Sequence, residues 1–228
     1  MFATFFGENY VRKKLLKKTQ SSVMKKYLEI PFPNKKEIIS NLNIISLDFE
    51  TTGLNIKKDK IVSIGSVSIK HLGVDLKSCS HKLINTRKEL PESSVVIHQI
   101  TDNQSANGMD IEEALPDLLK QLRGKVLLAH NAKVELGFIN KMCQKLYNTN
   151  FIIPVIDTQY LAKRSFDRQN QSYKGSDLRL FNLRKTFNLP AYKAHNALKD
   201  AVATAELFLA MVSKISSKDN ARLSDFLS

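Results

Sequence analysis

Two carboxylates end an apolar run in the stretch IISLDFETTGL, which spans residues 44–54. Asp48 and Glu50 are two positions apart, so on a strand both side chains point to the same face of the sheet. Like charges in a buried position repel each other and lose hydration unless a positive group lies between them. A divalent cation meets both needs, and the stretch therefore predicts a metal site at the end of a strand.

A second stretch, LLAHNAKVELGFI at 127–139, combines an acid with a helix-start signal. Asn131 is a typical N-cap residue, and Glu135 then falls close to the first turn of the helix that follows. We therefore predict that the main role of Asn131 is to cap this helix and that a contact with the site is its secondary role.

A third stretch, AHNALKDAVATAELFLAM at 194–211, has the same organisation. Asn196 is predicted to be the N-cap, which places His195 just outside the helix and Asp200 in its first turn. A strand end and two helix starts can converge at one edge of an α/β sheet, where such folds commonly build their sites.

Convergence of these stretches would assemble four carboxylates, those of Asp48, Glu50, Glu135 and Asp200. An all-oxygen set suits Mg²⁺ or Mn²⁺ and not zinc. Two such ions about 3.5–4 Å apart can activate a water and stabilise the leaving oxygen of a phosphodiester. His195 could then accept the proton of the attacking water, since imidazole titrates near neutral pH.

In these motifs the chain resembles the DEDDh-type 3′–5′ exonucleases, the superfamily of the epsilon proofreading subunit of bacterial DNA polymerase III. LDFETTGL matches the first family motif, HNALKDAVATAELF the third, and AHNAKVELGFI the second except at Glu135, where the family has Asp. VVIHQIT, at 95–101, is similar to the segment that in relatives lies against the terminal nucleotide. The match covers roughly residues 43–212, and three motifs in order are a specific signal.

The resemblance implies an α/β fold, a ribonuclease H-like mixed β-sheet flanked by helices. It implies a two-metal 3′–5′ exonuclease that releases nucleoside 5′-monophosphates, with His195 as general base. The metal ligands would be Asp48, Glu50, Glu135 and Asp200, and the cofactors two Mg²⁺ or Mn²⁺ ions. Expected nucleotide contacts are Thr51, Thr52, Leu54, His98, Asn131 and Phe138. For Leu54, His98 and Phe138, a role in packing is an open alternative.

Glu135 keeps the charge of the family aspartate but adds one methylene, which moves the carboxylate by about one carbon–carbon bond. A bridging water could absorb the change, or the second-metal site could weaken or come to favour Mn²⁺. This leaves an alternative function, a non-catalytic nucleic-acid binding module or a polymerase accessory subunit with an impaired second-metal site.

The composition supports a nucleic-acid partner. The chain has 228 residues, 43% of them hydrophobic, and a formal net charge of +13, which favours a polyanion. It contains no apolar run long enough for a membrane span and no secretory signal. Cys79 and Cys143 lack metal-type spacing and predict neither a disulfide framework nor a zinc site. We expect a cytoplasmic protein.

Three regions are predicted along the chain. Residues 1–40 form a basic N-terminal extension with nine Lys/Arg against three acids, residues 41–215 the exonuclease domain, and residues 216–228 a short tail. The extension reads as a basic helix broken near Ser21, which could pack on the domain, clamp nucleic acid, or serve membrane contact or targeting. Strands are predicted at 43–48, 60–70, 75–84 and 125–130, and helices at 111–122, 132–147, 157–164, 178–188 and 197–215.

The expected partner is nucleic acid with a free 3′ end, with single-stranded or frayed DNA favoured over RNA. No membrane partner is expected. A homodimer and association with a polymerase are further partners that the resemblance allows, although no sequence feature locates either interface.

Overall fold

The computed structural model describes residues 7–87, 90–192, 195–215 and 220–228. Within them one five-stranded sheet has the order β3-β2-β1-β4-β5. β1 pairs antiparallel with β2 and parallel with β4, and the outer pairs are β2–β3, antiparallel, and β4–β5, parallel. The sheet is therefore mixed, as predicted. The strands are β1 (Ile44–Thr51), β2 (Ile61–Lys70), β3 (Gly73–Leu83), β4 (Val126–Ala129) and β5 (Val155–Asp157).

Helices flank this sheet, which confirms the predicted α/β class. The described α-helices are α1 (Glu8–Lys18), α2 (Ser22–Glu29), α3 (Glu92–His98), α4 (Asp102–Ala106), α5 (Ile111–Leu122), α6 (Lys133–Tyr147), α7 (Thr158–Arg168), α8 (Leu180–Thr186) and α9 (Ala197–Ile215). Short 3₁₀ segments lie at Ile39–Asn41, Gly175–Leu178 and Leu223–Asp225.

The two faces of β1 belong to two different hydrophobic cores, as the alternation of side chains along a strand requires. Ile45, Leu47 and Phe49 pack in a core shared with α5 and α6. Ile44, on the opposite face, packs in a core shared with α9. Burial on both faces explains why β1 reads as a continuous apolar run before its carboxylates.

The N-terminal extension packs on the first core. Ser21 caps α2 by accepting a hydrogen bond from the Met24 N–H (3.3 Å), which accounts for the predicted break in the helix. Met24 and Tyr27 are 0% and 2% exposed, and the Tyr27 hydroxyl donates to the Ile152 carbonyl (2.8 Å). These contacts correspond to the first of the alternatives for the extension, that it packs on the domain.

The C-terminal segment packs on the second core. Leu223 and Phe226 are fully buried, and the Phe226 ring meets Phe208 of α9 edge-on at 5.6 Å. Ile38 and Arg222 form an isolated antiparallel bridge, so the end of the N-terminal extension lies against the C-terminal segment. Among the described residues, no helix has the length and apolarity that crossing a membrane requires.

Candidate active site

Three carboxylates converge where β1 meets the start of α9. Asp48 and Glu50 lie on β1 and Asp200 lies in the first turn of α9, and one carboxylate oxygen from each lies within 4.8 Å of the others. Glu50 is 5% exposed and Asp200 is 8% exposed. Glu50 Oε1 and Asp200 Oδ1 are buried without a hydrogen-bond partner. The arrangement leaves acceptor atoms aimed at a point that a cation would satisfy.

Local hydrogen bonds place Asp200 there. Asn196 Oδ1 accepts the N–H of Lys199 (3.1 Å), so Asn196 caps α9 as predicted. One turn on, the Ala201 carbonyl accepts a hydrogen bond from the Ser46 hydroxyl of β1 (2.7 Å). The helix start is therefore fixed against the strand that carries Asp48.

The electrostatics of this cluster favour a bound cation. Burial, followed by repulsion from Glu135, Asp200 and Glu50, raises the pKa of Asp48 well above its usual value. Burial is also the main cause that raises the pKa of Asp200 to about 7. Neutralising the group by divalent cations would relieve both penalties. The residues present therefore fit the predicted Mg²⁺ or Mn²⁺ ions.

Glu135 is close to this cluster but is not part of it. Its side chain is 3% exposed, and Oε2 has no hydrogen-bond partner. Burial raises the pKa of Glu135 to about 8, and the backbone of Glu135 and Phe49 offsets only part of this effect. Within the described residues, Glu135 belongs to neither of the two groups whose ligand atoms lie within 4.8 Å of one another. The structure brings three of the four predicted carboxylates together.

The predicted capping role of Asn131 is wrong. α6 begins at Lys133 with Ala132 as its N-cap residue, and Asn131 has a left-handed φ of 64°. The backbone N–H groups of Asn131 and Ala132 instead donate to the carboxylate of Asp157, each at 3.0 Å. Asp157, which is distant in sequence, thus accepts the N–H groups at the start of α6 in place of a local cap. The Asn131 side chain is exposed.

Asp157 holds two helix starts at once. It caps α7 by accepting the N–H groups of Gln159 (2.9 Å) and Tyr160 (3.4 Å), as its position before that helix predicts. Its second role, at the start of α6, follows from the pairing of Ala129 with Asp157 across β4 and β5. No local sequence signal could have found this role.

His195 has an unusual backbone and an anchored main chain. Its φ is 67°, in the left-handed region, and its N–H donates to Asp200 Oδ2 (3.1 Å). The side chain is exposed. The backbone of His195 is thereby tied to the carboxylate cluster, as a base acting at that cluster would require.

His98, which the sequence offered as a nucleotide contact or a packing residue, lies against the acids. Its Nε2 is 3.1 Å from the Thr51 carbonyl and its Nδ1 is 2.5 Å from Glu50 Oε2. Its ring centroid is 6.2 Å from that of His195. Glu50, His98 and His195 form the second group of ligand atoms that lie within 4.8 Å of one another.

The remaining predicted nucleotide contacts lie in different surroundings. Thr51 is 7% exposed and its hydroxyl donates to the Gly53 carbonyl (2.8 Å), while the Thr52 hydroxyl meets Asp59 (3.1 Å). Leu54 is 78% exposed, which suits a contact with a base. Phe138 is 1% exposed and packs in the first core. Of its two predicted roles, the structure therefore supports packing.

A polar cavity of about 390 Å³ borders the site. His98 and His195 form part of its wall, and Gln104 and Lys199 add a neutral donor and a cation. Such a lining can accommodate water and anionic oxygens next to the carboxylates.

The chain is similar in sequence to known exonucleases. The sequence model of the exonuclease family matches residues 45–208. The DNA polymerase III subunit epsilon of Treponema pallidum is 31% identical over 170 residues, which are 73% of this chain and 75% of that protein. The PolC-type DNA polymerase III of Thermotoga maritima is 34% identical over 168 residues. That match covers 74% of this chain and 12% of the polymerase, so the chain spans a small part of the PolC-type relatives.

Solved structures share the fold at lower sequence identity. The nuclease domain of 3′hExo, a DEDDh family member bound to rAMP, aligns with a TM-score of 0.65 at 15% identity, covering 78% of this chain and 95% of that one. Exonuclease X in complex with 5′ overhanging duplex DNA aligns with a TM-score of 0.59 at 24% identity, covering 80% and 99%. At these identities the likeness concerns the fold.

Proposed function

The chain belongs to the exonuclease family, and from that premise we propose that it is a metal-dependent 3′–5′ exonuclease that releases nucleoside 5′-monophosphates. The convergence of Asp48, Glu50 and Asp200 beside His195 is the observation that carries the proposal. The family, the fold and the crowded acids all favour phosphodiester hydrolysis over passive binding.

In this proposal Asp48, Glu50 and Asp200 would hold two divalent cations, Mg²⁺ or Mn²⁺, and Glu135 would complete the set of carboxylates. When bound, the cations lower the pKa of water and neutralise charge that develops on the phosphate and the leaving oxygen. The carboxylates fix where that charge is neutralised. Glu135 is buried and near Asp48, so it would act as a ligand either directly or through a water.

His195 accepts the proton of the attacking water at a ring nitrogen. The oxygen–phosphorus bond forms as the bond from phosphorus to the 3′ oxygen of the preceding nucleotide breaks. The products are a nucleoside 5′-monophosphate and a strand shortened by one residue with a 3′ hydroxyl. The hydrogen bond from His195 N–H to Asp200 holds His195 close to the carboxylates during this transfer.

The substrate that we propose is DNA with a free 3′ end, single-stranded or frayed. The relatives named as DNA polymerase III proteins support DNA, and the net charge of +13 supports a phosphate backbone as partner. In this proposal exposed Leu54 contacts the terminal base, and the backbone at Thr51 and Thr52 contacts its sugar and phosphate. Binding should weaken steeply with salt.

Association with a polymerase is a subsidiary proposal drawn from the same relatives. A homodimer and a cytoplasmic location are further proposals, which continue the expectations from the sequence. Deleting residues 1–36 is not a clean test of polymerase association, since Met24, Tyr27 and Phe32 belong to the first core. Charge reversal at exposed Lys13 and Lys17 of α1, followed by co-purification, leaves that core intact.

The central test follows 5′-labelled DNA and RNA of one sequence on a denaturing gel in Mg²⁺, Mn²⁺ or EDTA. We expect a metal-dependent ladder that shortens from the 3′ end, stronger on DNA, and absent for Asp48→Asn. An equal ladder from Asp48→Asn would assign the nuclease activity to a contaminant. Intact substrate in both metals would overturn the proposal.

A further inference from the structure

Two imidazoles and one carboxylate form a second group of ligand atoms beside the acids. Atoms of Glu50, His98 and His195 lie within 4.8 Å of one another. Nitrogen donors distinguish this set from the all-oxygen cluster of Asp48, Glu50 and Asp200. Two histidines with one glutamate are a donor set that zinc takes in catalytic sites, with water in the fourth position, whereas Mg²⁺ prefers oxygen.

The hydrogen bond of His98 leaves a lone pair aimed at Glu50. Because the Thr51 carbonyl only accepts, the proton of a neutral His98 ring lies on Nε2, which is 3.1 Å from it. Nδ1 then presents its lone pair 2.5 Å from Glu50 Oε2. A ring N–H held by a backbone carbonyl is the usual partner arrangement of a metal-binding histidine.

Unsatisfied atoms at the same point are a second observation that indicates a ligand, and one of them, His98 Nδ1, lies outside the all-oxygen cluster. Glu50 is 5% exposed, and its Oε1 has no hydrogen-bond partner. The Nδ1 of His98 is also buried without a hydrogen bond of acceptable geometry, despite its short distance to Glu50. Orphaned buried polar atoms are costly and call for a partner.

Access and room exist on the histidine side. The cavity of about 390 Å³ is lined by both His98 and His195, and the His195 side chain is exposed. The cavity can hold the water that completes a four-coordinate ion.

We propose that Glu50, His98 and His195 bind a zinc ion, and that this ion inhibits the exonuclease. Inhibition rests on the proposed function, because zinc would occupy the lone pair of His195 that accepts the proton. It would also withdraw Glu50 from the all-oxygen cluster. Two classes of cation thus compete for one carboxylate.

Binding is measured first, without nucleic acid, by titrating the purified protein with Zn²⁺ in a calorimeter and with Co²⁺ in the visible spectrum. We expect one ion per chain and the intense absorption of four-coordinate Co²⁺, which zinc abolishes. His98→Gln and His195→Gln should each weaken binding on the order of 10- to 100-fold. Two variants guard against a folding defect in either one.

Two matched controls distinguish this site from its neighbours. His81→Gln removes a histidine from the wall of the same cavity and should leave the Co²⁺ spectrum in place. Asp48→Asn removes a ligand of the all-oxygen cluster only and should also leave it in place. A spectrum lost in Asp48→Asn but kept in His98→Gln would overturn the proposal, as would binding that no histidine variant alters.

Activity is measured second, as zinc inhibition in excess Mg²⁺, with each variant normalised to its own rate without zinc. His98→Gln should need on the order of 10-fold more zinc for half inhibition than the unaltered protein. Equal zinc sensitivity would overturn the inhibitory role. A chain without nuclease activity in either Mg²⁺ or Mn²⁺ would overturn the proposed function while the binding result stands by itself.

Discussion

Gly65 on β2 lies directly opposite Asp48 on β1 in the antiparallel pair. A Cβ atom at position 65 would overlap the backbone of Ala197 and Leu198, in the first turn of α9. Glycine therefore allows the helix that carries Asp200 to cross the sheet in contact with it. The distance between Asp48 and Asp200 depends on the absence of a side chain at position 65.

We expect Gly65→Ala to push the start of α9 away from β1, because the obstructing atoms are backbone. The unfolding free energy should fall by about 1–3 kcal/mol, and the exonuclease rate on the order of 100-fold. Urea unfolding and single-turnover cleavage measure the two effects. Gly175→Ala is the control, since its Cβ would meet no heavy atom within 4 Å. An unchanged cleavage rate in Gly65→Ala would contradict this account of the site.

His195→Gln should lower the rate of cleavage far more than the affinity for the substrate. A general base contributes roughly 10²- to 10⁴-fold to the rate, whereas phosphate contacts provide most of the affinity. Single-turnover cleavage in Mg²⁺ gives the rate, and fluorescence anisotropy in EDTA gives Kd for a labelled oligonucleotide. His71→Gln, in the turn between β2 and β3, is the control. Matching losses in rate and affinity would argue against His195 as the base.

Elements with strong local signals were predictable from the sequence. The bounds of α9 are those predicted, 197–215, because its apolar periodicity is long and Asn196 marks its start. β1 was predicted to end at 48 but continues to Thr51, because Glu50 and Thr51 still pair with residues of β2. Of the site, the motifs supplied Asp48, Glu50, Asp200 and His195, and the structure brings these together.

Contacts between distant segments were not predictable. β5 has three residues and α3 and α4 have seven and five, too few for periodicity to distinguish them from loops. The approach of His98 to Glu50 depends on where α3 docks. Packing on the domain was one of the alternatives for the basic extension, but the sequence did not indicate that Tyr27 would reach Ile152. An amphipathic pattern indicates which face of a helix is buried, but not which segment of the chain packs against it.

Glu135→Gln should lower the cleavage rate on the order of 100-fold, because it removes the charge that we propose completes a second-metal site while keeping the shape of the side chain. Glu135→Asp restores the family residue and should change the rate by less than about 10-fold, since the charge is kept. Rates in Mg²⁺ and in Mn²⁺ measure both. Glu113→Gln, exposed in the first turn of α5, controls for general loss of charge.

The contrary outcome for Glu135 is equally specific. If the unaltered protein cleaves nothing and Glu135→Asp gains strong activity, the chain is the non-catalytic binding module. Cleavage by the unaltered protein in Mn²⁺ alone, with Mg²⁺ activity gained in Glu135→Asp, would show that the extra methylene sets the metal preference. Both outcomes need the gel assay in each metal.

Without divalent cations, the protein should lose stability as the pH rises from about 6.5 to 8. Burial raises the pKa of Glu135 to about 8 and that of Asp200 to about 7, so the folded state retains protons that the unfolded chain has released. Because the folded state binds more protons, the free energy of unfolding falls with pH in this window. Below this window the contribution of His130 has the opposite sign. Burial lowers the pKa of His130 to about 4, so the unfolded chain binds more protons there and the free energy of unfolding rises with pH.

Thermal unfolding in EDTA between pH 6.5 and 8 should show a decline on the order of 1–2 kcal/mol, or a few °C in Tm. Mg²⁺ or Mn²⁺ should flatten this decline, because a cation compensates the carboxylates in place of the protons. Glu135→Gln carries no titrating group at that position, so its curve in EDTA should be shallower and its Tm at pH 8 higher than that of the unaltered protein. A Tm that rises with pH in EDTA across this window would mean that the carboxylates are not buried together, and the cation site would lose its electrostatic basis.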